Sequence, residues 1–237
     1  MKIKNLVFYD FETTGRNPNI AGPLSLAFIV SNPNNPKLFY QKSFLIKFPK
    51  SFLTLSVEEK AGLDFNGIKN QKDLDHHNKN AIPLQEALNI FVNSVQKIFN
   101  FQKFILIGYN NINYDNKILS RLLSIYRPQD FYYMLQNTYD IYKFINNARH
   151  YSEISSNEWN KTFGSENRKL ETVYNYIFKK GFKAHEALED VKATLMLYRY
   201  FSLKFPKRLE QEIEEHVITI NVPKELFEFK EAGELVK

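Results

Sequence analysis

The chain predicts an α/β domain on a mixed sheet of about five strands with an antiparallel edge. Three observations carry this. Apolar runs of strand length recur at Ile3 to Tyr9, Pro23 to Ser31 and Phe104 to Tyr109. Between them, Leu84, Ala87, Leu88, Phe91, Val92 and Val95 follow the spacing of one helix face. The order is also informative: three strands come first, and then helices and strands alternate.

Ile3 to Tyr9 is apolar and runs into a polar turn, as the first strand of a buried sheet does. Pro23 to Ser31 and Lys37 to Phe48 read as an antiparallel pair, because Asn32-Pro33-Asn34-Asn35-Pro36 between them is a turn by composition. Ser51 to Asn80 is polar around His76-His77 and reads as short helices and loops. A helix over Pro83 to Phe99 follows, with proline at its start. Phe104 to Tyr109 is the next strand, and Tyr114 to Tyr126 a helix stopped before Pro128. A fifth strand spans Thr138 to Ile141, interrupted by Asp140. Ser152 to Asn167, rich in Ser and Asn, reads as an insertion; Lys169 to Phe178 and Ala187 to Phe201 are helices. The expected division is a catalytic domain over residues 1–203 and a short acidic extension over 204–237, with a helix at Lys207 to His216.

With 237 residues and 43% hydrophobic content, the chain can bury one large core. Its longest apolar runs fall well short of the roughly 18 residues that span a membrane. Met1-Lys2-Ile3-Lys4 has no long apolar stretch of a signal peptide, so an intracellular, soluble protein is expected. The absence of cysteine excludes disulfides, thiolate metal sites and cysteine nucleophiles. Net charge is +6; from Lys204 onward 6 Lys/Arg face 8 Glu, which leaves +8 on residues 1–203. That excess suits a nucleic-acid partner, and it equally suits a chain rich in Lys, Asn, Ile and Phe from an A+T-rich coding sequence.

Three short motifs hold the chemistry. Asp10 and Glu12 are two apart in Leu6-Val7-Phe8-Tyr9-Asp10-Phe11-Glu12, so a strand puts both carboxylates on one face. Asp-x-Glu alone is common on solvated strands; here apolar neighbours bury it, and buried carboxylates need partners. Thr13-Thr14-Gly15 then offers amides and hydroxyls suited to a nucleotide terminus. Asp115 ends Gly108-Tyr109-Asn110-Asn111-Ile112-Asn113-Tyr114-Asp115 and, by itself, is explained by the helix dipole. His185 and Asp190 are five residues apart, about 140° around an ideal helix. They meet only if His185 lies in a loop and Asp190 on the helix behind it. His76, His77, His150 and His216 are assigned structural roles. Four carboxylates gathered in one place repel unless cations neutralise them, which points to a divalent-metal site with a histidine left free to act as a base.

Taken together, Asp10-x-Glu12, Asn111-x-x-Tyr114-Asp115 and His185-x4-Asp190 resemble the three exonuclease motifs of the DnaQ-like family, in its subtype with four acidic residues and a histidine. The resemblance covers about residues 5 to 203. Gly108-Tyr109-Asn110-Asn111, Lys169-Leu170-Glu171 and the run Lys183 to Thr194 look like the catalytic domain of bacterial exonuclease I. The resemblance implies a ribonuclease H-like fold with helices on both faces of the sheet. It also implies 3′-to-5′ hydrolysis of single-stranded nucleic acid, DNA favoured, to nucleoside 5′-monophosphates. Asp10, Glu12 and Asp190 would hold two Mg²⁺ or Mn²⁺ ions, Asp115 would support the second, and His185 would be the base. Thr13, Thr14, Arg16 and Asn111 would contact substrate. Arg16 departs from the apolar residue many relatives carry, and could stack on a base or meet a phosphate. Alternatives are an RNA-trimming enzyme of the same family, a proofreading partner of a polymerase, and a nucleic-acid-binding module without catalysis.

Overall fold

The computed structural model describes residues 5–32, 39–148 and 168–216. Its sheet is mixed and five-stranded among these residues: β1 (Leu6–Thr13), β2 (Pro23–Ser31), β3 (Phe39–Leu45), β4 (Ile105–Gly108) and β5 (Thr138–Asp140). The spatial order is β3-β2-β1-β4-β5. β2 runs antiparallel to both β1 and β3, whereas β4 is parallel to β1 and to β5. The expected antiparallel edge on a mixed sheet is present.

Strand alternation sorts the apolar residues into two cores. On one face Leu6 and Phe8 of β1 meet Ala27, Ile29, Ile105, Ile107 and Tyr139. This face is covered by α6 (Ile141–Ala148), α7 (Leu170–Phe178) and α8 (Ala187–Lys204), with Val173, Val191 and Leu195 in the core. α9 (Pro206–His216) packs Leu209 and Ile213 into the same core. On the other face Val7, Tyr9 and Phe11 meet α3 (Leu84–Phe99) and α4 (Asp115–Tyr126), and α5 (Phe131–Leu135) adds Met134 and Leu135. α3 sinks Ala87, Leu88, Phe91, Val92 and Val95, the stripe that its spacing predicts.

The polar stretch from Ser51 onward forms a short 3₁₀ turn at Phe52–Thr54, then α1 (Val57–Phe65) and α2 (Gln71–Asn80). A third, small core of Leu24, Phe48, Leu55, Leu63, Ile68 and Leu74 holds this region to β2. A capping box starts α1: Ser56 Oγ accepts the Glu59 amide at 3.2 Å, and Glu59 Oε2 accepts the Ser56 amide at 2.9 Å. His77 bonds the Ile46 carbonyl at 2.9 Å, the structural role expected of it.

Two expectations need correction. β1 runs to Thr13 rather than ending at Tyr9, so the strand on which the parity of Asp10 and Glu12 depends continues past both. Pairing with β2 continues through Glu12↔Ser25 and carries it that far. Ile141 opens α6 instead of closing β5, because the Asp140 carboxylate accepts the Tyr142 amide at 3.0 Å and turns the chain into a helix. His150, the Ser152 to Asn167 insertion, part of the Asn32 to Pro36 turn and the end of the extension lie outside the described residues.

Candidate active site

The sheet positions the first motif by parity. Asp10 and Glu12 share the face of Leu6 and Phe8, the face covered by α8. Pairing between β1 and β4 ends at Phe8↔Ile107, so β1 projects past its parallel neighbour and its last residues border a crevice. Crevices outside the carboxyl ends of parallel strands are where open α/β sheets bind ligands.

α8 brings Asp190 to this crevice from its first turn. Asp10, Glu12 and Asp190 can each offer one carboxylate oxygen within 4.8 Å of the others, and all three are half-buried. Asp115, the first residue of α4, reaches β1 from the other side: its Oδ1 accepts the Phe11 amide at 3.1 Å, where β4 no longer supplies a ladder partner. Asp115 is buried and adjoins the three-carboxylate cluster without belonging to it.

His185 lies in an exposed turn just before α8, with φ of 66°. Its backbone N–H donates to Asp190 Oδ2 at 3.3 Å. The loop-then-helix arrangement that five-residue spacing demands is therefore present. All five residues line one cleft of about 530 Å³, together with Tyr109, Tyr142, Arg168, Lys169 and Glu171.

Burial and mutual repulsion hold these carboxyls far above their ordinary range. Burial, then Asp115, Asp190 and Glu12, push Asp10 well up. Burial, then Asp190 and Asp115, push Glu12 to about 7. Asp115 rises to about 7, chiefly through burial and against the Phe11 hydrogen bond. Asp190 also rises to about 7 through burial, with Glu171, Glu189 and Glu186 adding to it and the His185 amide opposing. Asp190 Oδ1 is buried without a hydrogen-bond partner. A divalent cation would relieve both conditions: it neutralises the repulsion and gives the orphaned oxygen a ligand role. The donor set, all carboxylate oxygen, suits a hard cation.

The residues expected to contact substrate divide. Thr13 and exposed Arg16 line a second groove of about 620 Å³ with Phe11, Gly15, Glu58, Ala61, Gly62, Phe65 and Tyr114. Glu12 borders both depressions. Thr13 Oγ1 donates to the Gly15 carbonyl at 3.0 Å and contacts the Tyr114 hydroxyl. Thr14 and Asn111 instead stand behind the site. Thr14 is buried, its Oγ1 accepting the Gly22 amide at 2.9 Å to close the turn between β1 and β2. Asn111 is fully buried and donates to Asn116 Oδ1 at 3.2 Å, packed so closely on Gly108 that a Cβ there would lie 2.5 Å from its own Cβ. Their side chains shape the loops and do not face the cleft.

Several residues at the site carried no assigned role in the sequence reading. Asp140 is buried, accepts the Asn110 amide at 2.7 Å and is raised to about 6 by burial. Phe65 and Glu58 come from α1, whose polar sequence carries no motif. Glu171, Arg168 and Lys169 line the cleft from the start of α7; the Lys169-Leu170-Glu171 run was the one available signal.

The fold is similar to that of part of solved exonuclease I structures. The zinc-bound complex of Escherichia coli exonuclease I with single-stranded DNA is 18% identical, with a TM-score of 0.66 over 88% of this chain and 42% of that one. Exonuclease I from Methylocaldum szegediense, a moderately thermophilic enzyme, is 23% identical, with a TM-score of 0.61 over 86% of this chain and 41% of that one. The E. coli enzyme with a dT13 oligonucleotide gives 17% and 0.64. The chain thus spans about two fifths of the length of the structures it matches. At these identities the likeness shows the ribonuclease H-like α/β fold. No protein-family model matches the chain, and no curated protein matches it in sequence.

Proposed function

We propose that this chain is a divalent-metal-dependent 3′-to-5′ exonuclease of the DnaQ-like type, acting on single-stranded nucleic acid, DNA favoured, and releasing nucleoside 5′-monophosphates. The observation that carries this is the cluster of Asp10, Glu12 and Asp190 with the turn of His185 bonded to one member. Two Mg²⁺ or Mn²⁺ ions held by these carboxylates, with Asp115 supporting the second, would supply Lewis acidity and offset charge developing on the phosphate. His185, exposed beside the cluster, takes the proton from the attacking water. Thr13 and Arg16 border the groove into which the strand terminus fits.

The preference for DNA draws on the single-stranded DNA in the matched exonuclease I complexes. A polymerase partner has no support among those structures. Residues 1–203 would form the catalytic domain and 204–237 an extension, of which the helix Pro206–His216 packs on it. Among the described residues no helix is long and apolar enough to cross a membrane.

Matched DNA and RNA oligonucleotides, each labelled at the 5′ end, test the proposal. Mg²⁺ or Mn²⁺ should give ladders shortening one nucleotide at a time from the 3′ end, faster on DNA, and chelation should abolish them. Faster shortening of RNA would move the reading to an exoribonuclease. No metal-dependent shortening of either strand would sink it.

A further inference from the structure

Phe65 ends α1 and is 61% exposed, a large apolar ring at the mouth of an acidic cleft. Its centroid lies 4.4 Å from that of the His185 ring, edge to face at 69°. Phe65 lines the groove that contains Arg16 and Glu58, and His185 lines the carboxylate cleft. The two rings therefore meet across the boundary between the depressions, a boundary that Glu12 also borders.

The two partners are held very differently. α1 is fastened to the end of β1 on both sides of Phe65. Three residues before it, Gly62 lies so close to the chain at Thr14 that a Cβ would stand 2.0 Å from the Thr14 carbonyl oxygen. Immediately after it, Asn66 Nδ2 donates to the Thr13 carbonyl at 3.1 Å and to the Gly62 carbonyl at 2.8 Å. The backbone that carries Phe65 is thereby tied to the segment that follows Asp10 and Glu12. His185, by contrast, sits in an exposed turn tied through its backbone N–H to Asp190. That bond places the main chain and leaves χ1 and χ2 of the imidazole to its ring contacts. An edge-to-face aromatic contact constrains both angles.

We propose that Phe65 is the positioning residue for His185: α1 refers the imidazole of the third motif to the carboxylates of the first. This rests on the reading of His185 as the base in the proposed reaction. Phe65 itself touches none of the reacting groups in this role. It limits the orientations open to the ring beside the cleft, and orientation of a base is worth a large factor in rate.

Two readouts test it. In the metal-free protein, Phe65→Leu keeps the apolar bulk and removes the ring current. The imidazole proton resonances of His185, identified by their loss in His185→Ala, should move, while those of His77 on α2 stay. In Mg²⁺ with a single-stranded oligonucleotide, Phe65→Leu should lower kcat on the order of 10–100-fold with KM within about twofold. Phe65→Tyr should recover most of the rate, and in a His185→Ala background Phe65→Leu should cost nothing further. Unmoved His185 resonances overturn the proposal. So does a raised KM at constant kcat, which would make Phe65 a wall of the substrate groove, or an additive loss in the double variant. If the resonances move in a protein that shortens no strand, the proposed function fails and the positioning contact stands. If wild type is active and the resonances do not move, the positioning alone fails.

Discussion

The carboxylate of Asp115 accepts the Phe11 amide from a buried position, so a neutral side chain of the same shape can keep that bond while losing the charge. Asp115→Asn should accordingly fold as wild type does. Without metal its melting temperature should rise, because a source of repulsion on Asp10 and Glu12 is gone. Turnover should fall by at least about 10–100-fold, as for groups that support a metal site. Near wild-type digestion of a labelled strand in Mg²⁺ would remove Asp115 from the site. His185 makes the opposite test. The residue is exposed, and its bond to Asp190 comes from its backbone N–H, which alanine also supplies. His185→Ala should therefore leave metal affinity within reach of wild type by calorimetric titration, yet lower kcat by about 10²–10⁴. Equal losses in both would make the residue a scaffold for Asp190.

At the scale of elements, the approach of α1 to β1 depends on one missing methyl group. A Cβ on Gly62 would lie 2.0 Å from the Thr14 carbonyl oxygen and 2.2 Å from its carbon, both backbone atoms that cannot rotate away. Gly62→Ala should destabilise the protein by about 1–3 kcal/mol in urea unfolding, the range for overpacking, and should lower activity even where the protein is fully folded. An unchanged midpoint would mean that α1 sits further from β1. This contact also marks where the sequence stops being legible. β2 was readable to the residue because all nine of its side chains are buried, and α3 because its stripe faces one core. Asp10 and Glu12 were readable as a pair from strand parity, and His185 with Asp190 from the loop their spacing requires. α1 buries only Leu63, so nothing in its pattern announced that it forms a wall of the site. α6 was hidden because Asp140 looked like a break in a strand and is instead the acceptor that starts the helix. Thr14 and Asn111 were assigned to the substrate because a motif shows residue type and order but not which way a side chain turns.

For the whole molecule, the gathered carboxylates set the sign of the pH dependence. Glu12, Asp115 and Asp190 are raised to about 7, Asp140 to about 6, and Asp10 well above its ordinary range. In the unfolded chain the same groups titrate near their ordinary values of roughly 4. Between these limits the folded protein binds more protons than the unfolded one. Stability from this source is therefore fully present below about pH 4 and is lost as pH rises through about 7. This is the reverse of a fold held by salt-bridged carboxylates. Divalent cations bind the deprotonated groups, so their affinity and their stabilising effect should grow over the same interval. Calorimetric scans between about pH 5 and 8 should thus diverge: the melting temperature falls with pH in chelator, and falls less or rises in millimolar Mg²⁺. A metal-free melting temperature that climbs steadily across that interval would mean the carboxylates are neutralised by the protein's own cations. The argument for a metal at Asp10, Glu12 and Asp190 would then lose its electrostatic basis.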